Sequence, residues 1–352
     1  MSKTDDPETG SFFARINQSL QRRRRAKAMS RARDARVAAT TERLIDEIDP
    51  RLRSLTGYRQ KLSAPVRKTL AYTTDIVNMI PGPVQVSSGT WSDDPLIRAL
   101  VSGPEDVRRS FSQNEEIRHY FDHRAILEPD HCYAMLSMSY QERTVLGTEM
   151  VGDMLKRDIK QIAVSFEKMR VVEPGLSEYE LRADLQERAF VVLTAYALER
   201  ITDLKLSGAK PQEQHQLAET QLKLNKVRNA SLGSLLEGKP QQITELHDQL
   251  LHSGEELQQA KARVTNLDDY IDVISDVLNE PERHLRARQF SVRLNKMNIK
   301  VDDHPEEKGE LLQLTELSLG DKTRRVMLLV NFPRKDLLAR TDPLQEAMRI
   351  LQ

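Results

Sequence analysis

Hydrophobic positions along this chain change their spacing several times, and each change marks an element. From Ser11 to Ile48 the spacing is helical: Phe13, Ile16 and Leu20 lie at i, i+3 and i+7, followed by Ala26, Ala28, Ala32, Ala35, Ala38 and Ala39. Asp49-Pro50 ends that run, because the residue before proline is pushed out of helical geometry. A second helix is expected over about Ala64 to Met79, with Pro65 in its first turn and Ile80-Pro81-Gly82-Pro83 as its stop. Val84 to Asp94 reads as loop. Pro95 to Val101, Pro104 to Phe111 and Asn114 to Phe121 read as short helices, each opened by proline or a capping side chain.

From His131 the period turns to two. Tyr133 to Tyr140, Thr144 to Val151 and Ile159 to Val172 read as two or three antiparallel strands, the last with Ile162, Val164 and Phe166 on one face. A helix over Thr148 to Gln161 is the competing reading. Past Pro174-Gly175, Ser177 and Glu180 make an S-x-x-E cap and helical spacing returns. It runs through Leu181, Leu185, Ala189, Val192 and Tyr196, then from Pro211 through Leu217, Leu222, Leu224, Val227, Leu232, Leu235 and Leu236. Gly238-Lys239-Pro240 interrupts it before the series Ile243, Leu246, Leu250, Leu257, Val264, Leu267, Ile271, Ile274 and Leu278. Glu, Gln and Lys fill the intervals, so the spacing predicts long antiparallel helices of coiled-coil character, with Gly254 as a break in the seam. After Pro281, Phe290, Val292 and Leu294, then Leu312, Leu314 and Leu317, then Arg325 to Phe332 read as strands, closed by Pro333. A three-stranded meander has little core of its own, so these strands are expected to join those at 132–172.

The predicted fold class is α+β, predominantly α-helical, with a small antiparallel sheet and a long helical hairpin. The expected organisation is a disordered lead at 1–10, a basic helical arm at 11–50 and an α+β body at 51–176. Long antiparallel helices at 177–281, a three-stranded segment at 286–335 and a short C-terminal helix at 336–352 follow. A length of 352 residues is ample for a buried core. The single cysteine, Cys132, excludes an intramolecular disulfide and any zinc site needing two thiolates. No apolar run approaches the ~20 residues of a membrane span, and the polar, acidic start is wrong for a secretory signal. A cytoplasmic location is expected on those grounds.

Charge changes this picture at one place. Arg15, Arg22, Arg23, Arg24, Arg25, Lys27, Arg31, Arg33 and Arg36 stand against one acid, Asp34, a local net of +8 in a chain that sums to zero. The rest of the chain therefore carries −8. Such an arm fits phosphates, an anionic membrane surface, or acidic protein surfaces within the molecule or on a partner. Aromatic residues are only 5% of the chain, which argues against a single-strand binder built on stacking.

Candidate chemistry is sparse. His119 and His123 are four apart on a helix, and His131 or Cys132 could complete a metal set. Tyr120 stands where HExxH places its glutamate, and two surface histidines beside a turn are the simpler reading. Gly233-Ser-Leu-Leu-Glu-Gly238-Lys239 matches a phosphate-loop spacing, but Pro240 replaces the magnesium-binding hydroxyl and a helix precedes it. It reads as a helix C-cap. Gly152 to Asp158 groups acids and bases at a turn, where solvated charge is the plainer explanation. No nucleophile elbow or dinucleotide fingerprint is present, and no cofactor is called for. The sequence points to a non-enzymatic interaction or assembly protein that uses the arm and the long helices to bind a protein partner or self-associate. A nucleic-acid-associated protein is the first alternative. An enzyme or metal protein with its site near His119 to Asp158 is the second.

Overall fold

The computed structural model describes residues 7–123, 129–151, 154–208, 211–231, 243–259, 266–301, 309–319 and 323–339. The elements in chain order are α1 (Pro7–Ile48), α2 (Tyr58–Met79), β1 (Val84–Gln85), α3 (Pro95–Leu100), α4 (Pro104–Ser112) and α5 (Glu115–His123). Then come β2 (His131–Val151), β3 (Met154–Gly175), α6 (Glu178–Gly208), α7 (Pro211–Ser231), α8 (Ile243–Gln259) and α9 (Leu267–Asn279). The last are β4 (Leu285–Leu294), β5 (Glu310–Leu319) and β6 (Thr323–Pro333). This is an α+β fold, mostly helical, around one sheet.

That sheet runs β3-β2-β6-β5-β4, with antiparallel neighbours throughout. β6 explains the layering. Its run Val326 to Val330 does not alternate because both faces are covered. Met327 and Leu329 pack with α1, α2 and α6 to α9, while Val326, Leu328, Val330 and Phe332 pack with α3 to α5. A short β1 lies parallel to β6 at Val84↔Val330 and Gln85↔Asn331, beyond the last β5 pair at Thr315↔Met327. The loop reading of 84–94 misses it, since two residues carry no period. Gly82 makes the approach work: its φ is +108, and a Cβ there would stand 2.2 Å from the Leu329 carbonyl oxygen.

β2 and β3 are each one long strand where the spacing suggests a break near Gln141 to Arg143, and no helix forms over the described part of 148–161. β6 covers β2 only from His131 to Met138, so the rest of the hairpin runs on past the central strand. Three register shifts interrupt the pairing, and opposite each of them β3 carries a residue at positive φ: Asp158 (59°), Lys168 (52°) and Glu173 (53°). Bulges of this kind bend and over-twist a ribbon. The curl brings Tyr140 of β2 within 5.3 Å of Phe290 of β4, ring to ring, although β6 and β5 lie between their strands. Val164 N–H donates to Asn298 O and Lys300 N–H to Ile162 O, both at 2.8 Å, tying β3 to the segment after β4.

Local chemistry sets most helix starts. Asp94 accepts from the Leu96 and Ile97 amides at 2.8 and 3.2 Å, and Asn114 accepts from Glu116 and Ile117 at 3.0 and 3.1 Å. Ser177 accepts from Glu180 N–H at 3.1 Å, while the Glu180 carboxylate reaches back to Leu176 N–H at 2.9 Å. α2 departs from expectation. It begins at Tyr58, so Pro65 lies inside the helix and buried. Proline there removes one helical hydrogen bond, and burial of Tyr58, Leu62 and Val66 on the same helix offsets that cost. Gly254 is where α8 crosses α1: a Cβ there would sit 2.3 Å from Glu47 O. The phosphate-loop spacing at 233–239, Leu232, Val264 and residues 340–352 lie outside the described residues.

Candidate functional site

α1 divides sharply. Every described side chain from 23 to 36 is exposed, whereas Val37, Thr40, Thr41, Leu44, Ile45 and Ile48 are buried. Residues 23–36 therefore run as exposed helix for about 21 Å before α1 docks, at 1.5 Å per residue. Arg15 and Arg22 are part of that helix, with side chains outside the described residues. Among the described residues, Arg23, Arg24, Arg25, Lys27, Arg31 and Arg33 make no ion pair. The only acid of the segment, Asp34, is turned to Arg67 of α2 at 3.1 Å, and Arg36 donates to Gln186 of α6 at 3.4 Å. Exposed cations on alanine-rich helix need no packing to form, since alanine and arginine are both strong helix formers.

Where the arm meets the body, a charge network joins three helices. His247 of α8 donates to Glu47 of α1 at 2.5 Å and contacts Glu187 of α6 at 3.1 Å. Arg43 of α1 reaches Glu187 at 2.5 Å and Glu47 at 3.6 Å. Burial opposes charge on His247, but the hydrogen bonds to Glu187 and Glu47 outweigh it and push the imidazole up to about 9. Burial likewise works to raise Glu187, yet His247 and Arg43 hold it below its ordinary value. The network fixes the base of the arm against the body.

Other buried ionic groups sit deeper. Lys205 of α6 donates to the Leu257 carbonyl, and its ammonium lies 5.7 Å from the Tyr270 ring centroid. Burial, with Arg51 nearby, lowers it to about 8. Arg188 of α6, 1% exposed, pairs with Glu173 at its bulge. Burial pushes the Glu173 carboxyl up and the Arg188 guanidinium down, against their mutual attraction. Arg325 of β6 spans two strands, donating to Ser137 Oγ at 3.1 Å, Ser139 Oγ at 2.7 Å and the Lys168 carbonyl at 2.6 Å. It therefore pins a second positive-φ bulge. Sequence reasoning passed over these four residues. The signal was present: Arg188 and Lys205 fall on the apolar stripe of α6, in register with Leu181, Leu185, Val192, Leu198 and Ile201.

The histidine constellation is divided between α5 and β2. His119 and His123 stack ring on ring at 3.7 Å on α5, and His123 Nδ1 lies 3.1 Å from His119 O. His131 bonds Asn331 Oδ1 at 2.8 Å on the sheet, and Cys132 is buried in the core. Among the described residues, no group of three His, Cys, Asp or Glu side chains is placed to hold a metal ion. At the hairpin end, Arg157 and Asp158 are exposed, and Gly152 and Asp153 lie outside the described residues. A shallow cleft between α3 and β4 is lined by Pro95, Arg98, Leu294, Asn298 and Glu310, but its Arg98 and Glu310 already pair with each other. No described helix is long and apolar enough to cross a membrane. Comparison with protein-family models, curated proteins and solved structures finds nothing that matches the chain.

Proposed function

We propose that this chain is a non-enzymatic interaction protein of the cytoplasm, whose folded body holds out a basic helix as the docking element for a polyanionic partner. One observation carries the reading: among the described residues, the cations from 23 to 33 are exposed and make no ion pair, although the rest of the chain has a net charge of −6 with which to cover them. An arm meant only to neutralise its own body would lie against it. The ion-pair network of Arg43, Glu47, Glu187 and His247 supports the same reading, because it sets the direction of the helix at its base. Retention on immobilised heparin tests it. The full chain is expected to elute at high salt, and a chain lacking residues 1–33 to pass through with an unchanged melting temperature. Equal retention of the two would refute the reading.

A second reading, self-association through the long helices in coiled-coil manner, draws on Leu204, Leu222 and Leu251. These leucines of α6, α7 and α8 are 40%, 63% and 37% exposed. Light scattering decides it: a mass above 40.4 kDa that falls on Leu222→Glu substitution supports association, and a monomer at high concentration removes it.

A further inference from the structure

We infer that the arm is built for the major groove of duplex DNA, with a rail of cations facing each phosphate wall. This rests on the arm being a docking element and goes further by naming the occupant. Helical rotation of about 100° per residue sorts the exposed cations into two opposite rows. Arg23, Lys27 and Arg31, with Arg24 beside them, form one row. Arg25, Arg33 and Arg36 form the other, roughly half a turn away, with Met29 among them. The seams between the rows hold small residues, Ala28, Ala32 and Ala35 on one side and Ala26 and Ser30 on the other. All of these positions are exposed. The one acid in the stretch, Asp34, lies on the side of the first row and pairs with Arg67 of α2 at 3.1 Å, and the second row has no acid on its own helix.

Two opposed rows on a slim helix distinguish among polyanions. A membrane-surface helix needs a large apolar face opposite its cations, and residues 23–36 offer none. An acidic protein face would engage one row and leave the other in water. A groove with charged walls engages both. The major groove of B-form DNA, about 12 Å wide, admits a helix, and an alanine seam lets the helix backbone approach the groove floor. The A-form RNA major groove is too deep and narrow for this.

The test is a fluorescence-anisotropy titration of the full chain against a mixed-sequence DNA duplex, a duplex RNA of equal length, polyglutamate, and vesicles of phosphatidylcholine with phosphatidylserine. DNA is expected to bind most tightly, with log K falling against log salt at a slope of about −5 for six phosphate contacts. Arg23→Gln/Lys27→Gln/Arg31→Gln and Arg25→Gln/Arg33→Gln should each weaken duplex binding by about tenfold or more at low salt. Ala28→Leu/Ala32→Leu should weaken duplex binding while leaving heparin retention unchanged. None of these positions packs on the body, so melting temperature should hold in every variant. Loss of affinity from one row alone, or no effect of the leucines, would overturn the groove assignment. So would vesicles, RNA or polyglutamate binding as tightly as DNA. Heparin retention without duplex binding refutes the DNA inference alone, whereas absence of both refutes the docking arm itself.

Discussion

The two halves of α1 share one helix and almost nothing else. Residues 23–36 are all exposed and dominated by arginine and alanine, so intrinsic propensity must hold them helical. Residues 37–48 are helical because Val37, Leu44, Ile45 and Ile48 are buried against α2, α6 and α8. Substitutions in the first half should therefore change what the protein binds, and substitutions in the second whether it folds.

The largest effect should come from Leu44→Ala, which empties a fully buried site and is expected to cost about 2–5 kcal/mol in urea denaturation. Gly254→Ala should follow at about 1–3 kcal/mol, since its methyl would collide with the Glu47 carbonyl oxygen rather than with a side chain that can move. A melting temperature unchanged by it would mean that α8 does not rest on the docked half at all. The joint between the halves should show itself through pH. His247 is held at about 9 against about 6.5 in the unfolded chain, so its contribution is complete below about pH 6.5 and is lost as pH rises through about 9. Lys205 acts in the opposite sense: lowered to about 8, its buried charge is a full cost below that pH, relieved as pH climbs toward its ordinary value. Between pH 6.5 and 8 His247 dominates, and stability should fall by on the order of 2 kcal/mol. Denaturation at several pH values should find that slope in the native chain and a flat profile in His247→Gln. Smallest of all should be Met29→Ala on the arm, within about 0.5 kcal/mol of the native chain. A larger loss would show that the arm is not free.

Much of this fold can be read from local pattern. The short helices α3 to α5 announce themselves through Asp94, Pro104 and Asn114, and the cap at Ser177 and Glu180 needs only four residues to be recognised. The basic arm is visible as charge. What stays hidden depends on residues far apart in the chain. Gln141 to Arg143 look like a break because they are polar, yet they remain strand because Ser165 to Ala163 pair with them across the hairpin. Pro65 looks like a helix start because the burial that carries α2 past it comes from tertiary packing. The approach of Gly82 to Leu329 and of Gly254 to Glu47 has no local signature. Nor does sequence separate Arg188, buried, from Arg23, exposed, except by neighbours at helical spacing. For the candidate site, the sequence locates the cations but leaves their direction open; that direction follows from where Val37 begins to pack.

The position of β6 in the chain has a kinetic consequence. It is the strand on which β1, β2 and β5 all pair, yet it is synthesised after every one of them. Ala134 must wait for Val330, and Val84 for the same residue, with most of the helical layer made in between. Long-range pairing of this kind closes slowly. During that interval the inner edge of β2 and the apolar faces meant for β6 are open to other chains. The protein should therefore refold slowly and best at low concentration, and an emerging chain would need its unfinished sheet shielded until residues 323–333 arrive.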